Sequence, residues 1–148
     1  MPYSIEWLVP NRVMYVRQFG KITRDEMDRY LEESFTIRDQ GNEANGINGP
    51  LVHTITDARE VEHTDIKLKD VDKMLRSMRK QRVGWSIYVN SSPIERFLVS
   101  IAHQLMGVRY ACFATLEEGL NFLAAQEDGL SNIADLARAA GHKMTQAE

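Results

Sequence analysis

The chain has 148 residues, 43% hydrophobic and 26% charged, with a formal net charge of −3. That length supports one domain with a proper core, and the mildly negative balance gives nucleic acid and anionic membranes no basic field to bind. The single cysteine, Cys112, excludes an intramolecular disulfide and fits a reducing, cytoplasmic setting.

No apolar run approaches the ~20 residues needed to span a bilayer. Met1–Trp7 lacks the basic-then-apolar order of a signal peptide.

The elements begin with a hairpin. Tyr3, Ile5, Trp7 and Val9 alternate with polar or smaller residues, Pro10-Asn11 turns, and Val13, Tyr15, Arg17 and Phe19 continue the period of two. Thr23, with Glu26 three residues on, opens a helix expected over Arg24–Asp39 with Met27, Tyr30, Leu31 and Phe35 as its buried stripe. Gln40–Pro50, with three glycines and three asparagines, reads as a flexible linker. Leu51–Asp57 is a strand rich in β-branched residues. The helix after it takes Leu68, Val71, Leu75 and Met78 as its apolar face.

Val83–Val89 is the next strand. Ser92-Pro93-Ile94-Glu95 is the strongest helix start in the chain, and Ile94, Phe97, Leu98, Ile101 and Leu105 form the expected core face before Gly107. Trp85, Ile87 and Phe113 join Phe97, Leu98 and Ile101 as expected core residues. Arg109–Ala114 is the last strand. Thr115 and Glu118 open a helix over Leu116–Gln126. Asp128-Gly129 then breaks the chain, a short helix spans Ser131–Ala140, and His142–Glu148 reads as a frayed end. The domain is thus expected over 1–126, with 127–148 as an extension. The short helix needs a surface to dock on. This, with the hairpin edge at Tyr3–Val9, points to a homodimer.

Strands alternating with helices over short connections imply α/β architecture: a predominantly parallel sheet of about five strands, an N-terminal antiparallel hairpin strand, and helices packed on the sheet.

Little catalytic chemistry is written in the chain. His53, His63, His103 and His142 do not sit at metal-ligand spacing, so no metal or other cofactor is expected. His53 reads as a satisfied core or half-buried strand residue and His103 as a surface one. No Gly-x-Ser-x-Gly elbow and no Gly-x-Gly-x-x-Gly turn occurs. Cys112 reads as a buried structural thiol. Arg76, Arg79, Lys80 and Arg82 suit the negative end of a helix dipole better than an anionic partner. Arg17 shares a strand face with Val13, Tyr15 and Phe19. It either pairs with Glu6 at the sheet edge or lines a pocket for a carboxylate.

The main site candidate is Asp57–Thr64. Three strands run into a Ser/Thr-x-x-Glu box, and this one does not. Asp57 is placed at a strand's carboxyl end, where open parallel sheets bind ligands and partners. Arg59, Glu60, His63 and Thr64 follow on a loop, with Thr64 placed to cap the next helix. The plainer reading makes Asp57 a turn residue among solvated charges.

The order of elements resembles the STAS-like domains, relatives of the sporulation anti-sigma-factor antagonist, in particular a SpoIIAA-like subgroup of small stand-alone bacterial proteins. The resemblance rests on Tyr3-Ser4-Ile5 before Val13-Met14-Tyr15-Val16, on Leu51–Asp57 with Ala58-Arg59, and on Val83-Gly84-Trp85. Arg96-Phe97-Leu98, Arg109–Phe113 and Thr115–Leu120 complete it. It implies a cytoplasmic, non-catalytic regulatory module that binds a protein partner. The antagonist's phosphorylated Asp-Ser-Ser-Gly turn is missing: its position falls near Ile66, with only Thr64 close by. No phospho-switch serine and no kinase partner carry over. A likeness of this fold class to CRAL-TRIO domains supplies the alternative, a carrier for a small amphipathic, apolar or anionic ligand.

Overall fold

The computed structural model describes residues 2–64 and 82–145. Five strands form one sheet in the order β1(Tyr3–Val9), β2(Val13–Ile22), β3(His53–Thr64), β4(Ser86–Val89), β5(Tyr110–Phe113). β1 pairs with β2 antiparallel, and every later pairing is parallel. The described helices are α1(Arg24–Asn45), α2(Pro93–Met106), α3(Leu116–Gln126) and α4(Ile133–Ala139). The expected α/β sheet is therefore present, with its antiparallel N-terminal strand.

Each strand from β2 to β5 lies one step beyond the last. Right-handed crossovers from β2 to β3 and from β4 to β5 then carry α1 and α2 to the same face. That face holds α1, packed on Met14 and Val16, and α2, tied to β4 through His103 and Ser86. Among the described residues, the opposite face is covered by the chain after β5. There Leu116, Leu120 and Leu123 of α3 pack with Tyr15, Ile55, Ile87 and Val89. Gly119 lets α3 settle close to β4, since a Cβ at that position would stand 3.0 Å from Ile87 Cγ2. Leu130, Ile133, Ala137 and Met144 extend this same core. The tail completes the cover of this face, and it docks on its own chain.

Several sequence expectations shift. α1 continues six residues past Asp39, through the stretch read as a linker. Gly41 is a packing glycine there: a Cβ would fall 2.7 Å from both Trp7 Cη2 and Val52 Cγ2. The buried face of α1 is Tyr30, Ser34, Arg38, Gly41 and Asn42, while Met27 and Leu31 are only partly buried. β3 does not stop at Asp57. It runs on beside β2 to Thr64, with extra residues accommodated between the Arg17↔Asp57 and Phe19↔Glu60 pairs and again before Lys21↔His63. Of the expected core, Ile87 is fully buried, Trp85, Ile101 and Phe113 are partly buried, and Phe97 and Leu98 are 64% and 46% exposed. The helix face is apolar as expected, but its first turns look outward. The expected frayed end also meets a contrary observation, since Met144 is 7% exposed and inside the core. The helix bearing Leu68, Val71, Leu75 and Met78, the position Ile66 and the basic residues Arg76, Arg79 and Lys80 lie outside the described residues.

Candidate functional site

β2 and β3 bring the predicted residues together, but as two separate groups. Asp57 is 4% exposed, on an interior strand. It accepts hydrogen bonds from Tyr15 Oη at 2.5 Å, from Arg59 Nε at 2.8 Å and from Arg59 Nη2 at 2.7 Å. Arg59 is two positions on, hence on the same strand face. Its guanidinium also donates to the carbonyls of Lys143, at 2.6 Å, and Thr145, at 3.2 Å. His142 stacks on Tyr15 with ring centroids 4.0 Å apart, and its Nε2 lies against the Glu6 carboxylate. The group is a latch that fixes the tail to the sheet. Burial opposes the charge on Asp57, yet the hydrogen bonds from Arg59 and Tyr15 hold its carboxyl below the usual range. Burial, reinforced by the Asp57 charge, raises the Tyr15 phenol.

The second group is at the surface. Arg17 Nε and Nη2 donate to Glu60 Oε1 and Oε2 at 2.9 and 2.7 Å, and the guanidinium rests 4.7 Å over the Phe19 ring. Arg17 thus pairs with Glu60, while Glu6, the partner expected from sequence, faces His142. Glu60 and His63 are exposed on the last part of β3. Thr64 is the final residue of β3, opposite Ile22, and the helix it is expected to cap lies outside the described residues.

Sequence reasoning missed a polar interior on the α1–α2 face. His103, read as a surface residue, is buried. Its Nδ1 donates to the Val99 carbonyl at 2.8 Å, leaving Nε2 to accept from Ser86 Oγ at 2.8 Å. This Ser–His pair is a structural tie. The neighbouring backbone N–H groups of Trp85 and Ser86 are engaged by His53 Nδ1 and the Arg109 carbonyl, so they offer no oxyanion site. Cys112 is half-buried, 3.5 Å from Ser100 Oγ, and burial raises its thiol pKa, which does not suit a nucleophile. No group of three or more metal-ligating side chains occurs among the described residues. No described helix is long and apolar enough to cross a membrane.

No family model matches the chain, and no curated protein matches it either. Solved structures do. One is an uncharacterized protein of the DUF3478 family with a SpoIIAA-like fold from Shewanella loihica PV-4, at 13% identity and TM-score 0.56, covering 82% of this chain and 92% of that one. Another is the anti-sigma factor antagonist SpoIIAA in its unphosphorylated form, at 19% identity and TM-score 0.55, covering 83% of this chain and 96% of that one. The fold is SpoIIAA-like. At these identities the likeness concerns the backbone, and the SpoIIAA-like architecture here carries the latch and the polar interior as features of its own residues.

Proposed function

We propose that this protein is a non-catalytic, STAS-like regulatory module that acts in the cytoplasm by binding another protein. The observation that carries the reading is an apolar ridge on α2. Ile94, Phe97 and Leu98, at i, i+3 and i+4, are 70%, 64% and 46% exposed. Three large apolar side chains grouped on one helix face favour a partner surface. The exposed end of β3, with Glu60 and His63, is the proposed polar recognition strip, and Asp57 and Arg59 hold that strand to the tail. The resemblance to the antagonist supports a regulatory role.

The test is affinity capture with the unaltered protein against Ile94→Asp/Phe97→Asp and Glu60→Ala/His63→Ala variants. A partner held by the unaltered protein and lost from a variant with an unchanged thermal midpoint supports the reading. Identical capture by all three proteins overturns it. Self-association through the outer edge of β1 is the assembly we propose, and sedimentation at micromolar concentration reads it: a monomer sinks the dimer.

A second reading, a carrier for a small ligand, is favoured by the half-buried Thr54, Thr56, Ser86 and Tyr88 on the interior strands β3 and β4.

A further inference from the structure

β1 stands at the edge of the sheet, with β2 on one side and no described strand on the other. Its ladder to β2 is antiparallel, with Ser4 opposite Arg17 and Glu6 opposite Tyr15, and the Phe19 N–H donates to the Pro2 carbonyl at 2.9 Å. Bonded positions alternate along such a ladder. Pro2, Ser4 and Glu6 therefore bond inward to β2. The N–H and C=O groups of Tyr3, Ile5 and Trp7 point outward, and among the described residues nothing is bonded to them.

This edge lacks the usual guards. Between Pro2 and Pro10 it holds no proline and no lysine, and the register shift that would turn it aside comes only after Trp7. The strand also reads alike in both directions. Tyr3-Ser4-Ile5-Glu6-Trp7 runs aromatic, polar, Ile, polar, aromatic. Two such strands, paired antiparallel about a two-fold axis at Ile5, set Ile5 against its counterpart and Tyr3 against the Trp7 of the second copy. Aromatic cross-strand pairs of this kind are favourable. Ser4 then faces Glu6, so no like charges oppose each other. Every outward N–H and C=O of Tyr3, Ile5 and Trp7 finds a partner.

Other registers do worse. An axis at Glu6 sets two carboxylates face to face. An axis at Ser4 carries Trp7 past Tyr3, the first residue of β1. An axis between two residues matches outward groups with inward ones. An extended segment of another protein would use the same backbone groups without requiring the strand to match its own reverse.

We propose that two copies of this chain pair β1 against β1, antiparallel about Ile5, and so join their sheets into one. This rests on the self-association put forward above and gives it a register. The interface is isologous and closes at two copies.

The test uses single-cysteine proteins in a Cys112→Ser background. Ser4 and Glu6 are exposed, so changes there spare the core. The pairing sets them opposite each other at a non-hydrogen-bonded position, with Cα atoms about 4.5 Å apart and within disulfide reach. Ser4→Cys mixed with Glu6→Cys should cross-link under mild oxidation, and neither should cross-link alone. Sedimentation of the unaltered protein should give a dimer. Ser4→Glu, which faces Glu6 in both halves of the interface, should weaken it several-fold at low salt, and Ser4→Lys should tighten it. A dimer in which one cysteine variant cross-links with itself, and the mixture does not, would overturn the register and leave self-association through the edge standing. A dimer with no cross-link and no response to Ser4→Glu would overturn both. A monomer would also overturn both, and slow exchange of its Tyr3, Ile5 and Trp7 amides would assign the edge to another segment of the same chain.

Discussion

Asp57 and Arg59 form a two-pronged ion pair within a single strand, and the same guanidinium holds the carbonyls of Lys143 and Thr145. A recognition loop would tolerate alanine at either position to within about 0.5 kcal/mol. A buried pair would not, because removing one partner strands the other charge away from water. Asp57→Ala is therefore expected to cost about 3–5 kcal/mol, leaving Arg59 with carbonyl acceptors but no counter-charge and the Tyr15 hydroxyl without its acceptor, and Arg59→Ala should fall in the same direction. Urea unfolding of both variants checks this. A shift under 1 kcal/mol for Asp57→Ala would return that residue to a surface role.

His53 makes the fold sensitive to acid. The ring is 2% exposed, its Nδ1 accepts from the Trp85 N–H, and burial, with help from Arg109 and Arg12, lowers its pKa to about 4. The folded state holds the neutral ring, whereas the unfolded chain protonates near pH 6.5. Stability from this group is complete above pH 6.5 and is lost as pH falls toward 4, by about 3 kcal/mol in all. The Glu127 carboxylate 3.6 Å from Nε2 works against the loss without reversing its sign. Asp57, with its depressed pKa, adds a separate loss below about pH 4. Unfolding free energies measured between pH 7 and 4 should slope downward, and His53→Gln should flatten that slope. An unchanged slope in the variant would count against a neutral buried ring.

The parts legible in the sequence were those set by local chemistry. Thr23, Ser92 and Thr115 do cap helices, and the alternation of β1 and β2 gave the hairpin. The parts missed depend on tertiary partners. Gly41 reads as a linker residue until Trp7 and Val52 are seen to fill the space a side chain would need. The charges of 57–64 read as a loop because nothing local shows that β2 pairs with them. His103 reads as a surface residue because ring polarity is local, whereas burial is not. Phe97 and Leu98 failed the other way: helical periodicity identifies an apolar stripe but not whether a neighbour covers it.

The caps are not equal. Thr23 has the full reciprocal box, with Thr23 Oγ1 accepting from the Glu26 N–H at 3.2 Å and the Glu26 carboxylate accepting from the Thr23 N–H at 3.1 Å. Ser92 Oγ accepts from the Glu95 N–H at a long 3.4 Å, and its own N–H donates to Asn90 Oδ1. Loss of an N-cap ordinarily costs ~1 kcal/mol. Thr23→Ala should reach that figure and Ser92→Ala should fall below it. Equal midpoint shifts in denaturant would show that the second half of the box contributes nothing.

The tail should behave as part of the domain. Leu130, Ile133 and Ala137 are fully buried against Tyr15, Ile55 and the α3 leucines. A chain cut after Gln126 would expose that core and one sheet face, so it should lose cooperative unfolding. A milder lesion, Met144→Ala, should cost about 2 kcal/mol, at the low end for a buried methionine. Calorimetry of the two separates the cases: a truncated protein with an intact, sharp transition would make 127–148 a dispensable extension.

Phe97 and Ile87 offer the sharpest contrast, because the sequence ranked both as core. Ile87 is fully buried beneath α3, packed with Val89 and Leu120, whereas Phe97 is 64% exposed on α2. Truncating Ile87 removes buried methyl groups and leaves a cavity, at about 2–5 kcal/mol. Truncating Phe97 removes surface that water already reaches, so Phe97→Ala should stay within about 0.5 kcal/mol of the unaltered protein. The helix should tolerate it too, since alanine has the higher propensity. If the ridge is a partner surface, the same variant should lose binding while keeping its midpoint, the reverse of what Ile87→Ala does. Both variants go through one denaturation series and one capture assay. A Phe97→Ala protein destabilised by several kcal/mol would mean that the ridge is covered in solution and is not a docking surface.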